Sequence, residues 1–178
     1  MVNRAIGLYT RAPYNHASIA LDANLNRMYS FGRRRPQFPL PGGFVQEKQH
    51  EGFYARFRKT RCAIFRLQVT EAEYQAIEAA IDEFVREQDK YDFSVLGFFG
   101  VAAGRPINRP YKYFCSQFVS TVLEKAGIRL VDKPPGLVTP PDFAACERLQ
   151  LVYEGLLCDY PGGAALEAAA TGRDSAST

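Results

Sequence analysis

The chain is poor in the residues that build metal centres, with two histidines and four cysteines among 178 residues. Cys62, Cys115, Cys146 and Cys158 are widely spaced, and no pair sits at metal-ligand distance. Zinc is therefore not expected, and neither is any other cofactor. Long apolar runs are also missing: Ser94 to Ala103 offers about ten residues where roughly twenty are needed to span a bilayer. The first residues, Met-Val-Asn-Arg-Ala-Ile-Gly, do not pair a charged region with a long apolar one. A soluble, unexported, cytoplasmic protein is expected, in which all four cysteines stay thiols. Charge is short as well. A formal net charge of +3 is too small to argue for nucleic acid, and the positive residues are scattered except at Arg33-Arg34-Arg35. Internal repeats are absent. What remains is a chain with 47% hydrophobic residues, enough for one domain with a real core. We assign that domain to residues 1–160 and expect the Ala-, Gly- and Ser-rich stretch 161–178 to be a disordered tail.

The most informative stretch is Tyr111 to Gly127. Phe118, Val119, Val122, Leu123 and Ala126 recur at helical spacing, and extending their stripe back one turn lands on Cys115. Gly127 ends the helix, with Lys125 in its last turn where a cation suits the dipole. None of Tyr113, Phe114 or Cys115 is a good N-cap. Free amides and the positive end of the dipole would face the sulfur, which favours a thiolate near neutral pH.

Upstream, Ala5 to Thr10 reads as a first strand. Tyr14 to Leu21 alternates, a turn-rich Asp22 to Asn26 follows, and Arg27 to Phe31 is a further strand. A hairpin turning near Asn24 puts His16, Ser18 and Ser30 on one face, with Ser18 opposite Ser30. Gly32 to Gln49, rich in Gly, Pro and Arg, reads as a long loop facing substrate. Its Arg33, Arg34 and Arg35 are candidates for binding an acidic group, although a solvated charge run fits the same pattern. His50 to Lys59 and Arg61 to Val69 read as strands. Thr70-Glu71-Ala72-Glu73 is a capping box, opening a helix to about Gln88. Ser94 to Ala103 is expected to be a short buried helix or loop. A short helix after Thr139-Pro140-Pro141 should end near Leu149, with Cys146 inside it, and Leu149 to Tyr153 should close the sheet.

Two of these stretches together resemble a known superfamily. Phe-Cys-Ser-Gln-Phe-Val-Ser-Thr-Val-Leu-Glu-Lys-Ala-Gly-Ile, residues 114–128, is similar to the nucleophile helix of NlpC-type papain-like amidases, and His16-Ala-Ser-Ile-Ala-Leu resembles that superfamily's histidine strand. Here the histidine precedes the cysteine, the order of the circularly permuted branch, which includes the YiiX-type amidases and the lecithin:retinol acyltransferase group. The segments Tyr91-Asp92-Phe93 and Thr139 to Phe143, and the terminal Tyr153 to Tyr160, also look like the YiiX type. The resemblance implies an α+β, circularly permuted papain-like fold, with the cysteine helix packed on an antiparallel sheet that carries the histidine. It also implies a third polar residue on the next strand, which alignment assigns to Ser30, where relatives more often have His, Asn, Gln or Glu.

In that reading Cys115 is the nucleophile and His16 its base. His50, the other histidine, sits beside the loop rather than on a clear strand. The Cys115 backbone amide is the natural oxyanion donor, with Tyr91 and Tyr113 as candidates for the second. The expected activity is a cysteine amidase or peptidase acting on a peptide, γ-glutamyl or other acyl-containing substrate. An acyltransferase or thioesterase using the same thioester on a lipid or acyl ester is the alternative, and a serine at position 30 also leaves room for a binding module without turnover. The residues do not specify an oligomeric state.

Overall fold

Alternation of apolar and polar residues, a capping box and a few turn-forming residues account for most of the architecture. The computed structural model describes residues 4–11, 15–34, 42–163 and 165. In chain order the elements are β1 (Arg4–Arg11), β2 (Ala17–Ala20), β3 (Met28–Arg33), β4 (Gly42–Glu47), α1 (Gly52–Arg56), β5 (Arg61–Val69) and α2 (Glu71–Arg86). There follow β6 (Asp92–Phe93), α3 (Val95–Ala102), β7 (Lys112–Tyr113), α4 (Cys115–Lys125), α5 (Pro140–Ala144) and β8 (Gln150–Leu156). The strands form one sheet in the order β7-β6-β4-β3-β2-β1-β5-β8, antiparallel throughout except between β6 and β7. The fold class is α+β, as expected.

The β2–β3 hairpin has the register read from the sequence. Ile19 pairs with Tyr29 and Ala20 with Met28, so continuing the register sets Ser18 opposite Ser30. Asp22 organises the turn, because its carboxylate accepts from the backbone amides of Asn24, Asn26 and Arg27. All four β2 residues are buried, since both faces of the strand are covered. On one face Ile19, Tyr29, Phe31 and Phe44 meet Phe84 of α2 and Phe118, Val122 and Leu123 of α4. On the other, Ala20, Met28, Cys62 and Ile64 pack with Leu25, Tyr54, Leu157 and Tyr160. Each large side chain so buried contributes about 1.5–3 kcal/mol of transfer free energy. That seals α4 to the middle of the sheet.

Helix α2 begins as read, with the reciprocal Thr70–Glu73 capping box in place. Several other expectations are corrected. The long loop is interrupted: β3 continues to Arg33 and β4 occupies Gly42–Glu47. Residues 50–59 hold α1 rather than a strand, a helix too short to show a helical period. Helix α3 is exposed rather than buried, with Val95, Leu96 and Phe99 facing outward. Helix α5 stops at Ala144, so Cys146 lies beyond it, bonded to the Leu130 carbonyl. The start of the expected tail is tied down, since the Gly163 amide donates to Asn24 Oδ1. Residues 166–178 and Arg35 lie outside the described residues. No helix among the described residues is long and apolar enough to cross a membrane.

Candidate active site

Helix α4 starts at Cys115 after an extended Phe114 that supplies no side-chain cap. The amides of its first turn therefore remain available to a group at the helix tip. Burying Cys115 works against its thiolate, yet the thiol is held below its ordinary pKa. The hydrogen bond and positive charge of His16, joined by the backbone amides of Ala17 and Ser116, outweigh the burial. His16 and Cys115 are thus brought together at the junction of β2 and α4.

His16 sits just before β2, and its Nε2 lies 3.2 Å from Glu47 Oε1. Burial disfavours the imidazolium, but the Glu47 carboxylate and the hydrogen bonds to Cys115 and Glu47 overcome that cost, and the pKa is pushed up to about 9. The imidazole thus bonds both the Glu47 carboxylate, through Nε2, and the Cys115 sulfur. Ser18 holds the other carboxylate oxygen: its Oγ donates to Glu47 Oε2 at 2.5 Å and lies 3.3 Å from His16 Nε2. Ser18, His16 and Glu47 therefore form a polar cluster across β2 and β4.

Glu47 was not among the residues picked from the sequence, and its presence corrects the role given to Ser30. Ser30 is fully buried, but its Oγ has no hydrogen-bond partner. It pairs with Val45, one alternation before Glu47, and the longer glutamate reaches the imidazole from the adjoining strand. The period-2 pattern that puts Val45 and Glu47 on the face of Ser30 was the available signal, but it is obscured because Phe44 and Val45 are both apolar and Gln46 and Glu47 both polar.

The tyrosines proposed as oxyanion donors are packed elsewhere. Tyr91 packs against Phe84 in a tilted pair with centroids 4.7 Å apart, and burial pushes its phenol up to about 12. Tyr113 contacts Phe31 and Phe84, each at 5.3 Å. Neither borders the cleft at the helix tip. His50 is exposed in the turn before α1 and also stands outside the cleft.

That cleft has a volume of about 670 Å³ and is open to solvent. Cys115, His16 and Glu47 lie on its wall, beside the apolar Val45, Phe53, Phe93 and Val95. Arg33 and Arg34 also border it, but they behave differently. Arg34 turns back to donate through Nη2 to the carbonyls of Gln88 and Tyr91, passing over Gly43, where a Cβ would come within 2.6 Å of its Nε. Arg33 stays exposed, its guanidinium 5.7 Å from the Phe53 ring centroid.

The arrangement defines a class: a helix-tip cysteine coupled to a histidine that is itself held by a carboxylate. No family model, curated protein or solved structure matches the chain.

Proposed function

We propose that this protein is a cysteine hydrolase of the circularly permuted papain-like type, an amidase or peptidase that works through a thioester. The observation that carries the reading is a cysteine at an uncapped helix tip, hydrogen-bonded to a histidine whose Nε2 lies 3.2 Å from Glu47 Oε1, with all three residues on the wall of one open cleft. Two further features support it. Cys115 opens a helix packed on a mainly antiparallel sheet, and the histidine immediately precedes β2, an earlier strand of that sheet.

In this mechanism the Cys115 thiolate attacks the acyl carbon, a C–S bond forms, and the carbonyl electrons move to oxygen. The Cys115 amide at the uncapped helix start stabilises that oxyanion. Collapse expels the amine, which takes its proton from the His16 imidazolium and leaves a thioester. Neutral His16 then removes a proton from water, the resulting hydroxide displaces the sulfur, and the acid departs with the ion pair restored. Glu47 keeps the imidazolium charged and oriented, and Ser18 holds Glu47. Acyl transfer follows the same course when an alcohol or amine replaces the water.

The test is alkylation by iodoacetamide across pH, read by mass spectrometry, followed by covalent trapping with peptide, γ-glutamyl and acyl-ester substrates. Cys115 is expected to label rapidly at pH 6, and His16→Ala to slow that labelling by about a hundredfold or more, because the thiol reverts toward roughly 8.5 or above. Equal rates in the two proteins would remove the enzyme reading and leave a ligand-binding module.

A further inference from the structure

Charges on the cleft wall do not balance. Glu47 is engaged by His16 and Ser18. Lys48 and Glu51 neutralise each other, with Nζ 3.0 Å from both carboxylate oxygens. With the thiol ionised, Cys115, His16 and Glu47 together carry one net negative charge, against which two guanidinium groups stand, leaving one positive charge in excess. Arg34 directs Nη2 at the neutral carbonyls of Gln88 and Tyr91, so its position is fixed, and it pairs with no carboxylate among the described residues. Arg33 pairs with no carboxylate among the described residues, and its guanidinium lies over the Phe53 ring, 5.7 Å from the centroid. An aromatic face steadies a guanidinium while leaving its edge available to an anion. The same wall carries Val45, Phe93 and Val95, so an uncompensated positive charge borders an apolar surface leading to the nucleophile.

We propose that the cleft takes an acyl substrate bearing an anionic group, a carboxylate or a phosphoryl, and that Arg33 is the specificity-determining residue that binds it. The inference rests on the catalytic reading above and adds the substrate's charge to it. Arg33 presents an edge suited to two parallel N–H···O bonds with such an anion. Arg34 supplies background field from its fixed position.

Two alkylating agents of similar size and opposite character test this directly: iodoacetate, which is anionic, and iodoacetamide, which is neutral. The ratio of their rates at Cys115, in which each variant's iodoacetamide rate is its own reference, is expected to fall about five- to tenfold in Arg33→Gln, to recover largely in Arg33→Lys, and to fall further in Arg33→Glu. Thermal midpoints close to that of the unmodified protein report that the variants are folded. Glutarate and inorganic phosphate, added as protectants against iodoacetamide, separate the two sources of charge: protection by glutarate assigns a carboxylate, and protection by phosphate assigns a phosphoryl group. An unaltered ratio in Arg33→Gln with normal iodoacetamide labelling, or protection by neither anion, overturns the substrate inference and leaves the catalytic one standing. Slow iodoacetamide labelling of the unmodified protein at pH 6 removes the catalytic reading, and the substrate inference goes with it.

Discussion

Cys62 and Cys115 are equally hidden, at 1% and 2% exposure, yet their thiols move in opposite directions. Cys62, on β5 among apolar side chains, is pushed up to about 12 by burial, which outweighs the opposing charge of Arg61. Cys115 suffers the same loss of water but meets an imidazolium and two backbone amides. Burial alone makes an inert sulfur. A charged partner held in the same dry place reverses the outcome, because low dielectric strengthens the attraction as much as it penalises the isolated charge.

The largest expected effect breaks this comparison outright. Cys115→Ala should abolish covalent trapping of any acyl substrate with little change in thermal midpoint, whereas Cys62→Ser should leave labelling of Cys115 intact and cost about 1–3 kcal/mol by placing a hydroxyl among apolar groups. Trapping at Cys62, or a Cys115→Ala variant that still turns over, would reverse the two assignments.

A smaller change sharpens the electrostatic argument. Glu47→Gln removes the carboxylate that lifts His16, so the imidazole pKa should drop from about 9 and the Cys115 thiol should rise. Iodoacetamide labelling at pH 6 should slow by about tenfold or more and recover once the pH passes the ordinary thiol range. The linkage has a definite sign. His16 has a folded pKa above its unfolded 6.5, so its contribution to stability is complete below that value and disappears as pH rises through about 9. Cys115 contributes with the opposite sign, its lowered thiol gaining stability as pH rises toward the unfolded thiol range. The His16 decline should therefore stand out in Cys115→Ala, whose thermal midpoint should fall more steeply from pH 6.5 to 9.5 than that of the unmodified protein.

The smallest effect concerns Ser30. Its hydroxyl has no partner, so Ser30→Ala should change labelling by less than about twofold and leave stability equal or slightly higher, as expected when an unsatisfied buried polar atom is removed. A tenfold loss of labelling would return the orienting role to Ser30.

These contrasts also explain what could be read before the fold was seen. The hairpin register and the cysteine helix were legible because each is set by local periodicity: Asp22 and Asn24 mark the turn, and Phe118, Val119 and Val122 mark the face. Glu47 was not legible. Its strand begins at Gly42-Gly43 inside a Pro- and Arg-rich stretch, and what makes it a strand is pairing with β3, not any pattern of its own. The exposure of α3 was hidden for the opposite reason, since Val95, Leu96 and Phe99 carry a strong apolar signal that the tertiary structure leaves on the outside. The division of labour between Arg33 and Arg34 depends on where Gln88, Tyr91 and Phe53 lie, and adjacent identical residues give no hint of it.

The contact between α4 and β2 couples the lowering of the Cys115 thiol to completion of the fold. Ala17 lends its amide to the sulfur, so seating the helix is also what draws an ordinary thiol below its usual range. A nascent or partly opened chain therefore carries four unremarkable cysteines, and sulfur reactivity at low pH becomes a signal that the two distant halves of the sheet-and-helix assembly have met.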